Sequence, residues 1–350
     1  MNNYNVIGLM SGTSLDGLDI AYCSFILNNN SWQYKILKAK TVEYSAEWLE
    51  KLKTIHNKSA FELVSADIEY GKYIGKFVKE FIDENNINVD FICSHGHTIF
   101  HQPQKGITYQ LGNGNNIKAV TGVSVINDYR TYDVAIGGQG APLVPIGDEL
   151  LFANYNYCIN LGGFANISYN KDGKRIAFDI CPVNIALNYL TNKIGEKFDN
   201  NGSYASKGKL NTELLNELNK IQFYSEKPPK SLGREWLEKV FIPIIEKYDI
   251  SINDKLNTIC EHIAIQITNI INKDKLGTVL VTGGGAYNSF LISLLKNKTN
   301  NEIIIPDKST IDYKEALIFA FLGILKIRNE INCLSSVTGA KKDNIGGIIC

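Results

Sequence analysis

The sequence lacks several patterns that would assign it quickly to a protein class. No apolar run approaches the roughly 20 residues that span a bilayer, so no membrane segment is expected. Its 36 basic and 36 acidic residues give a formal net charge of zero, which removes any general basis for binding nucleic acid or an anionic surface. The opening residues, MNNYNVIGLMSG, have no basic stretch followed by an apolar one, so no secretory signal is expected.

Cysteine pairs and the common nucleotide fingerprints are also missing. The seven cysteines are odd in number and form no CxxC, which favours buried, reduced thiols in a cytoplasmic protein. The nearest approach to GxxxxGK[ST], at 203–210, has Ser in place of the first glycine. The segment GGGAYN fails the dinucleotide fingerprint because Asn288 occupies the last glycine position. Neither a P-loop nor a Rossmann protein is supported.

The elements that are present predict an α/β protein of two domains. The 350 residues exceed one typical core. Periodicity predicts a strand–turn–strand over 5–25, a strand over 91–93, and helices over 60–85, 254–272 and 315–327. The strand–turn–strand pattern recurs from about residue 156, which indicates a weak internal duplication. We expect domains at 1–135 plus 325–350 and at 136–324.

Four glycine-bearing turns are each predicted to follow a strand. They are GLMSGTSLDG (8–17), GGQGAP (137–142), LGGFAN (161–166) and GGGAYN (283–288). Any one of them alone is best interpreted as a plain turn. Four together favour a phosphate-bearing ligand, because glycine amides can approach phosphate oxygens closely. The remaining common nucleotide architecture with repeated glycine hairpins is the actin-like one.

Carboxylates close to these turns could organise a metal or act as a base. They are Asp16, Asp19, Asp128, Asp133 and Asp179. Asp133 precedes a segment too apolar and glycine-rich for an exposed loop, whereas a local ion pair that Asp128 and Arg130 form with Asp133 is an equally consistent interpretation.

Other polar segments have less specific interpretations. The histidines of HGHTIFHQP, at 95, 97 and 101, could bind zinc, but without a Cys or acidic partner they favour the polar lining of a sugar pocket. KPPKSLGREW (227–236) could contact an anion, although a solvated helix start is the stronger interpretation.

Nine motifs occur in one order along nearly the whole chain. They are GLMSGTSLDGLD, HGHTIFHQP, LGNGN, DVAIGGQGAPLVP, NLGGFANIS, KPPKSLGRE, GGGAYN, EALIFAFL and SSVTGA. In this order they resemble the anhydro-N-acetylmuramic acid kinases, bacterial enzymes of peptidoglycan recycling. The resemblance implies a two-domain, actin-like (ribonuclease H-like) sugar kinase fold with a cleft between the domains. It also implies ATP and Mg²⁺, with 1,6-anhydro-N-acetylmuramic acid as the sugar substrate. In that family, water opens the anhydro ring and O6 is phosphorylated, giving N-acetylmuramic acid 6-phosphate and ADP.

The resemblance also implies roles for individual residues. Asp133 is expected to be the general base that activates water, with Asp128 as the alternative. The residues expected to bind the sugar are His97, Asp179, Asn184 and Glu315. The residues expected to bind the nucleotide are Gly12, Thr13, Ser14, Leu15, Asp16, Gly17, Leu18, Asp19, Gly162, Gly163, Gly283, Gly284 and Gly285. Asp16 and Asp19 are expected to hold the metal.

Two departures from the family pattern and two rival functions stay open at this point. His97 stands where Gln is common, and Cys181–Asn184 replaces a glycine-containing turn, which bears on sugar specificity. One rival is an actin-like ATPase or regulator without sugar kinase activity. The other is a glycosidase that uses Asp133 and Glu315 without ATP. A homodimer is expected from the family alone, and neither nucleic acid nor a membrane is expected as a partner.

Overall fold

The computed structural model describes residues 2–12, 15–273 and 276–350. The chain forms two compact units: unit 1 is Met1–Leu151 with Tyr313–Cys350, and unit 2 is Phe152–Asp312. The sequence predicts the second domain at 136–324 instead. The two sets of domain limits differ because segments on both sides of unit 2 pack in unit 1. Gly147 contacts Ile318, and Ala316 contacts Gly8 of the N-terminal sheet.

The strands are numbered in chain order. They are β1 (Asn3–Ser11), β2 (Leu18–Asn28), β3 (Ser31–Val42), β4 (Phe91–Gln102), β5 (Ile107–Leu111), β6 (Val125–Asn127), β7 (Tyr157–Leu161), β8 (Phe164–Lys171), β9 (Lys174–Pro182), β10 (Thr278–Thr282), β11 (Glu302–Ile304) and β12 (Ile348–Ile349).

The α-helices alternate with these strands. They are α1 (Ala46–Thr54), α2 (Ala60–Asn85), α3 (Gly114–Thr121), α4 (Thr131–Ala135), α5 (Val144–Leu151), α6 (Asn184–Asn192), α7 (Thr212–Asn219), α8 (Arg234–Trp236), α9 (Ile242–Glu246), α10 (Ile252–Ile271), α11 (Ser289–Lys298), α12 (Lys308–Ile327) and α13 (Ser335–Thr338). A π-helical turn, Leu237–Phe241, joins α8 to α9. No helix among the described residues combines the length and apolar character that a membrane crossing requires.

The two units share one strand order in their central sheets. In unit 1 the order is β3–β2–β1–β4–β6, with β12 added at the β6 edge and β5 paired with β4. In unit 2 the order is β9–β8–β7–β10–β11. In each unit the first three strands are antiparallel and the next two run parallel to the first. The internal duplication expected from sequence is therefore a repeat of topology, and the chain has the two-domain α/β architecture of actin-like proteins.

The longest predicted helices match their expected positions closely because both carry clear boundary signals. Ser59 and Glu62 form a reciprocal capping box at the start of α2, and Asn86 ends it in the left-handed conformation with φ 48°. In α10 the apolar side chains at 3.6-residue spacing are buried, and the Ser251 side chain caps its first turn by accepting from the Asp254 N–H.

Two elements are longer than the sequence predicts. Strand β4 continues from Phe91 to Gln102, through the histidine-rich segment, because β5 pairs with its second half. Helix α12 begins at Lys308 rather than at Glu315. Its apolar side packs in unit 1, where Phe321 contacts Phe25 and Trp32.

Candidate functional site

The first glycine turn joins the end of β1 to the start of β2. Ser11 pairs with Leu18 across the two strands, and Leu15 donates its backbone N–H to the carbonyl of Gly12. Leu15 has φ 62° and Gly17 has φ 145°, and a Cβ on Gly17 would lie 2.7 Å from the carbonyl oxygen of Val42. The turn is thus built from backbone that only glycine adopts easily at position 17. The expected phosphate ligands Thr13 and Ser14 lie outside the described residues.

The acids at this turn differ in exposure. Asp16 is exposed, while Asp19 is half-buried in β2 and accepts a hydrogen bond of 2.6 Å from Thr41 Oγ1. The described residues contain no group of three or more His, Cys, Asp or Glu side chains that could enclose a metal ion. Two carboxylates still suit Mg²⁺ in a kinase, because this ion takes one or two carboxylates together with phosphate oxygens and waters.

A buried cluster of hydroxyl groups lies beneath the base of this turn. Ser11 Oγ is 2.7 Å from Tyr44 OH and 2.9 Å from His97 Nδ1, and it accepts a hydrogen bond of 2.9 Å from Tyr70 OH. His97 is only 4% exposed, and burial lowers its pKa to about 4. His97 is therefore a neutral ring that supports the end of β1.

Asp133 lies in α4 and is completely buried. Its Oδ1 accepts hydrogen bonds from Asn344 Nδ2 (2.7 Å), Thr338 Oγ1 (2.9 Å) and the Cys333 thiol (3.1 Å). Its Oδ2 accepts one from the backbone N–H of Gly140 at 2.8 Å. The carboxylate is thus held by donors from two distant parts of the sequence.

The GGQGAP turn wraps around this carboxylate. A Cβ on Gly138 would lie 2.1 Å from Asp133 Oδ2, and Gly140 has φ 66°. Gly138 is therefore required by the close approach of the backbone to the acid, and Gly140 by its left-handed backbone conformation. The prediction that this turn follows a strand is wrong, because it follows helix α4. That short helix begins where the Thr131 N–H bonds to Asp128 Oδ1 at 3.2 Å.

Arg130 connects the Asp133 turn to strand β4. Its Nε lies 3.0 Å from Nε2 of His95, and its Nη1 donates to the Gly140 carbonyl at 2.5 Å. His95 Nδ1 donates to the Gly96 carbonyl at 2.8 Å, so Nε2 is unprotonated and accepts from Arg130. Burial, reinforced by the Arg130 charge, holds the pKa of His95 well below its ordinary value.

Arg130 also interacts electrostatically with two acids. Burial lowers its pKa to about 10, while Glu315, Cys333 and Asp133 oppose that shift. Its guanidinium donates hydrogen bonds to His95 and Gly140, and Asp128 accepts one from the Thr131 N–H. Of the local ion pair considered from sequence, the structure keeps the electrostatic interaction of Arg130 with Asp133.

Glu315, in α12, is the acid that faces Arg130 from the C-terminal part of unit 1. The residue is exposed overall. Restricted hydration by the surrounding protein raises the pKa of its carboxyl group. Arg130 opposes the rise, Asp19 adds to it, and Lys314 opposes it. Glu315 is therefore electrostatically connected to both the first glycine turn and the Asp133 turn.

In unit 2, two of the predicted glycine turns are packed together. Gly283 has φ 80°, and a Cβ there would lie 2.5 Å from Asn160 Oδ1. A Cβ on Gly285 would lie 2.7 Å from that of Leu161, where the LGGFAN turn begins. Asn184 donates from Nδ2 to the Leu161 carbonyl at 3.0 Å, and its backbone N–H bonds to the Gly162 carbonyl. The structure therefore brings Gly162, Gly163, Asn184 and Gly283–Gly285 into one cluster.

Asp179 lies on β9, under the KPPKSLGREW segment. Its Oδ2 accepts from the Leu232 N–H at 2.8 Å, and burial raises its pKa. Lys230 donates to the Phe223 carbonyl at 2.8 Å and lies over the Phe223 ring. The Lys230 ammonium is thus held within unit 2, whereas Arg234 is exposed and pairs with Glu238 at 2.8 Å.

The sequence prediction named Asp133 but omitted most of its neighbours. Cys333, Thr338 and Asn344 lie 200 to 211 residues further along the chain. Thr338 belongs to the SSVTGA motif, so the sequence does mark it as a candidate site residue. Asn344 follows the motif without any pattern of its own, and His95 was considered only as a metal or sugar ligand.

Comparison with known proteins gives a consistent family assignment. The family model described as anhydro-N-acetylmuramic acid kinase matches residues 4–350. An anhydro-N-acetylmuramic acid kinase of Clostridioides difficile (strain 630) is 34% identical over 98% of this chain and 97% of its own length. One from Haemophilus influenzae is 35% identical, covering 96% of this chain and 94% of its own length.

The solved structures are less similar to this chain than the family members are. A dehydratase activator from Clostridium difficile with bound ADPNP aligns with 93% of this chain and 97% of its own at 14% identity. Its TM-score is 0.43, so the fold assignment depends on the sheet topology described above.

Proposed function

Because the chain belongs to the anhydro-N-acetylmuramic acid kinase family, we propose that Asp133 is the base of an ATP-dependent reaction that opens an anhydro sugar ring and phosphorylates O6. The substrate is 1,6-anhydro-N-acetylmuramic acid, and the products are N-acetylmuramic acid 6-phosphate and ADP. The reaction belongs to the recycling of peptidoglycan in the cytoplasm, where ATP is supplied, and a homodimer is the proposed assembly.

The hydrogen-bonded setting of Asp133 is the observation that carries the proposal. Three side chains bond to Oδ1, whereas Oδ2 receives only the Gly140 N–H among the described residues. A carboxylate oxygen has two lone pairs, so Oδ2 keeps the capacity to accept a proton. The four hydrogen bonds also fix the orientation of the carboxylate, and a general base must be held within hydrogen-bond reach of the proton it takes.

The proposed reaction balances as follows. Asp133 Oδ2 takes a proton from a water molecule, and the water oxygen forms a bond to C1 of the sugar. The bond from C1 to the bridging O6 breaks, and O6 leaves C1 as an alkoxide. O6 then forms a bond to the γ-phosphorus, the bond from that phosphorus to ADP breaks, and the proton on Asp133 passes to solvent.

Glu315 is proposed as a sugar ligand beside this base. The residue is exposed, and Arg130 interacts electrostatically with both Glu315 and Asp133. Arg130 is itself fixed by His95 and Gly140, so its charge is held in one place between these two acids. We assign further sugar contacts to Asp179 and Asn184, and a supporting role to His97 through Ser11.

Nucleotide contacts are proposed for glycine turns within each unit. In unit 1 the turn from Gly12 to Asp19 is assigned to phosphates, and in unit 2 Gly162, Gly163 and Gly283–Gly285 are also assigned to nucleotide. Asp16 and Asp19 are the carboxylates that would hold Mg²⁺. When bound, Mg²⁺ neutralises charge on the phosphates during transfer.

Replacing Asp133 with Asn tests the assignment. A general base typically contributes about 10²–10⁴ in rate, so Asp133→Asn is expected to lose at least about 10²-fold in kcat while it still binds ATP. The measurement follows ADP and sugar products with 1,6-anhydro-N-acetylmuramic acid, with and without Mg-ATP.

Asp128→Asn is the matched control, because Asp128 caps α4 through the Thr131 N–H. It is expected to keep activity within a few-fold. Wild-type turnover by Asp133→Asn with loss in Asp128→Asn would transfer the role to Asp128. Ring opening without ATP would indicate a glycosidase, and ADP formation indifferent to sugar would indicate an ATPase or regulator.

A further inference from the structure

One short segment near the end of the chain supplies three hydrogen-bond donors to a single oxygen of Asp133. The donors are the Cys333 thiol, the Thr338 hydroxyl and the Asn344 amide, at 3.1, 2.9 and 2.7 Å from Oδ1. All three side chains are buried. A carboxylate oxygen that accepts three hydrogen bonds has no remaining lone-pair site for a water or a substrate.

The segment that presents these donors is itself fixed. Cys333 and Asn344 exchange backbone hydrogen bonds of 3.1 and 3.0 Å, which close the segment into a loop. Thr338 ends helix α13 and accepts from the Ala340 N–H, while Ser335 at the helix start is held by Asp343. Burial and the Asp133 charge raise the pKa of the Cys333 thiol, so it stays protonated and donates.

We infer that Cys333, Thr338 and Asn344 form a clamp on Oδ1 of Asp133 that leaves Oδ2 as the oxygen presented to the attacking water. The inference deepens the proposed function and rests on it, because it takes Asp133 as the base. The three are positioning residues, since they act on the reaction through Asp133. Without the clamp, the carboxyl group could rotate and exchange its two oxygens.

Charged and titratable groups around Asp133 come from several elements. Arg130 lies beside α4 and interacts with Asp133 electrostatically, and Cys333 lies on the segment that carries the three donors. Glu315 on α12 and His95 on β4 act through Arg130. The clamp can be altered without changing any of these four if Thr338 is the residue replaced.

Thr338→Val and Thr338→Ser provide a matched pair, because the first removes the donor with little change of shape and the second retains it. A hydrogen bond to a charged group contributes enough to change a rate by about 10–100-fold. We expect Thr338→Val to lose about 10–100-fold in kcat with the KM for sugar and for ATP unchanged, and Thr338→Ser to regain most of it.

A control variant and a second pair of variants distinguish a loss of the clamp from a general loss of protein stability. Thr121→Val removes another buried hydroxyl, which bonds only to backbone in and after α3, and is expected to leave kcat unchanged. Cys333→Ala and Cys333→Ser repeat the comparison at a second donor if a Thr338 variant fails to fold.

The outcomes separate the clamp from the base. Inactive Asp133→Asn together with unchanged kcat in both Thr338→Val and Cys333→Ala would overturn the clamp and leave the proposed function intact. The clamp would also be overturned if Thr338→Ser did not restore the kcat lost in Thr338→Val, or if Thr121→Val lost as much kcat as Thr338→Val. Full activity in Asp133→Asn would instead reject the proposed base.

Discussion

The imidazole ring of His97 is buried beside Ser11, at the end of β1. Because burial lowers its pKa, the free energy of unfolding depends on pH. Its pKa falls from an ordinary value of 6.5 to about 4 in the folded chain. Between these two pH values the unfolded chain carries a proton on His97 that the folded chain does not. The contribution of His97 to the free energy of unfolding is therefore fully present above pH 6.5 and is lost as the pH falls toward 4. Between pH 7 and pH 5 this residue is expected to account for about 2 kcal/mol of lost unfolding free energy.

His97→Gln should remove that share, and denaturant unfolding at the two pH values measures it. His56→Gln, at an exposed histidine, is measured alongside as the control for the substitution itself. An identical loss of stability in wild type and His97→Gln would contradict the prediction.

Individual site residues could be predicted only where a local pattern marked them. Asp133 precedes an apolar, glycine-rich segment, and that conflict with an ordinary loop identified it. Asn344 carries no such mark, because its role depends on a contact with a residue 211 positions earlier. The burial of His97 was equally hidden, since nothing near it in the sequence indicates that Tyr70 packs against its ring.

At the scale of elements, the contact between β1 and α12 limits what Gly8 can become. A Cβ at this position would lie 1.9 Å from the backbone carbonyl oxygen of Ala316. The helix must shift to accept it, and overpacking of this kind costs about 3 kcal/mol at the upper end of the usual range. Gly8→Ala is therefore expected to lose about 3 kcal/mol of stability, measured by denaturant unfolding.

Gly233→Ala is the matched control for this substitution. Its backbone is extended, with φ −124°, and the nearest atom to a new Cβ belongs to the flexible Glu235 side chain. Its stability is expected to stay within about 0.5 kcal/mol of the wild type. Equal effects at the two positions would show that α12 does not constrain Gly8.

Elements were predictable where one period extended over many residues and ended at a capping residue. Helix α2 has both, and its predicted limits match the structure. Strand β4 was predicted to end at Cys93 because His95, Gly96 and His97 interrupt its apolar run. The strand continues because β5 pairs with it, and a pairing partner is tertiary information that alternation within one segment does not contain.

At the scale of the whole molecule, the two units differ in how the chain builds them. Unit 2 is one continuous stretch, and its buried cluster runs from Tyr157 to Ile311. Unit 1 needs α12, whose Phe321 lies 5.7 Å from Phe25 and 5.1 Å from Trp32 between ring centroids. The fragment 152–312 is therefore expected to fold alone, whereas 1–151 is not.

Circular dichroism and the dispersion of amide NMR signals show whether each fragment is folded. Fragment 152–312 should show a cooperative thermal transition, and 1–151 should show none until residues 313–350 are supplied as a separate peptide. A cooperative transition in 1–151 by itself would contradict the requirement for α12.

The late position of the Asp133 clamp in the chain has a consequence for biosynthesis. A ribosome releases the chain from its N-terminus, and domains fold as they emerge. Unit 2 is complete once residue 312 has emerged, but Cys333, Thr338 and Asn344 are made after it. A nascent chain that stops before residue 344 would then carry the proposed nucleotide turns without the donors that hold the proposed base, so activity is expected only after that residue has emerged.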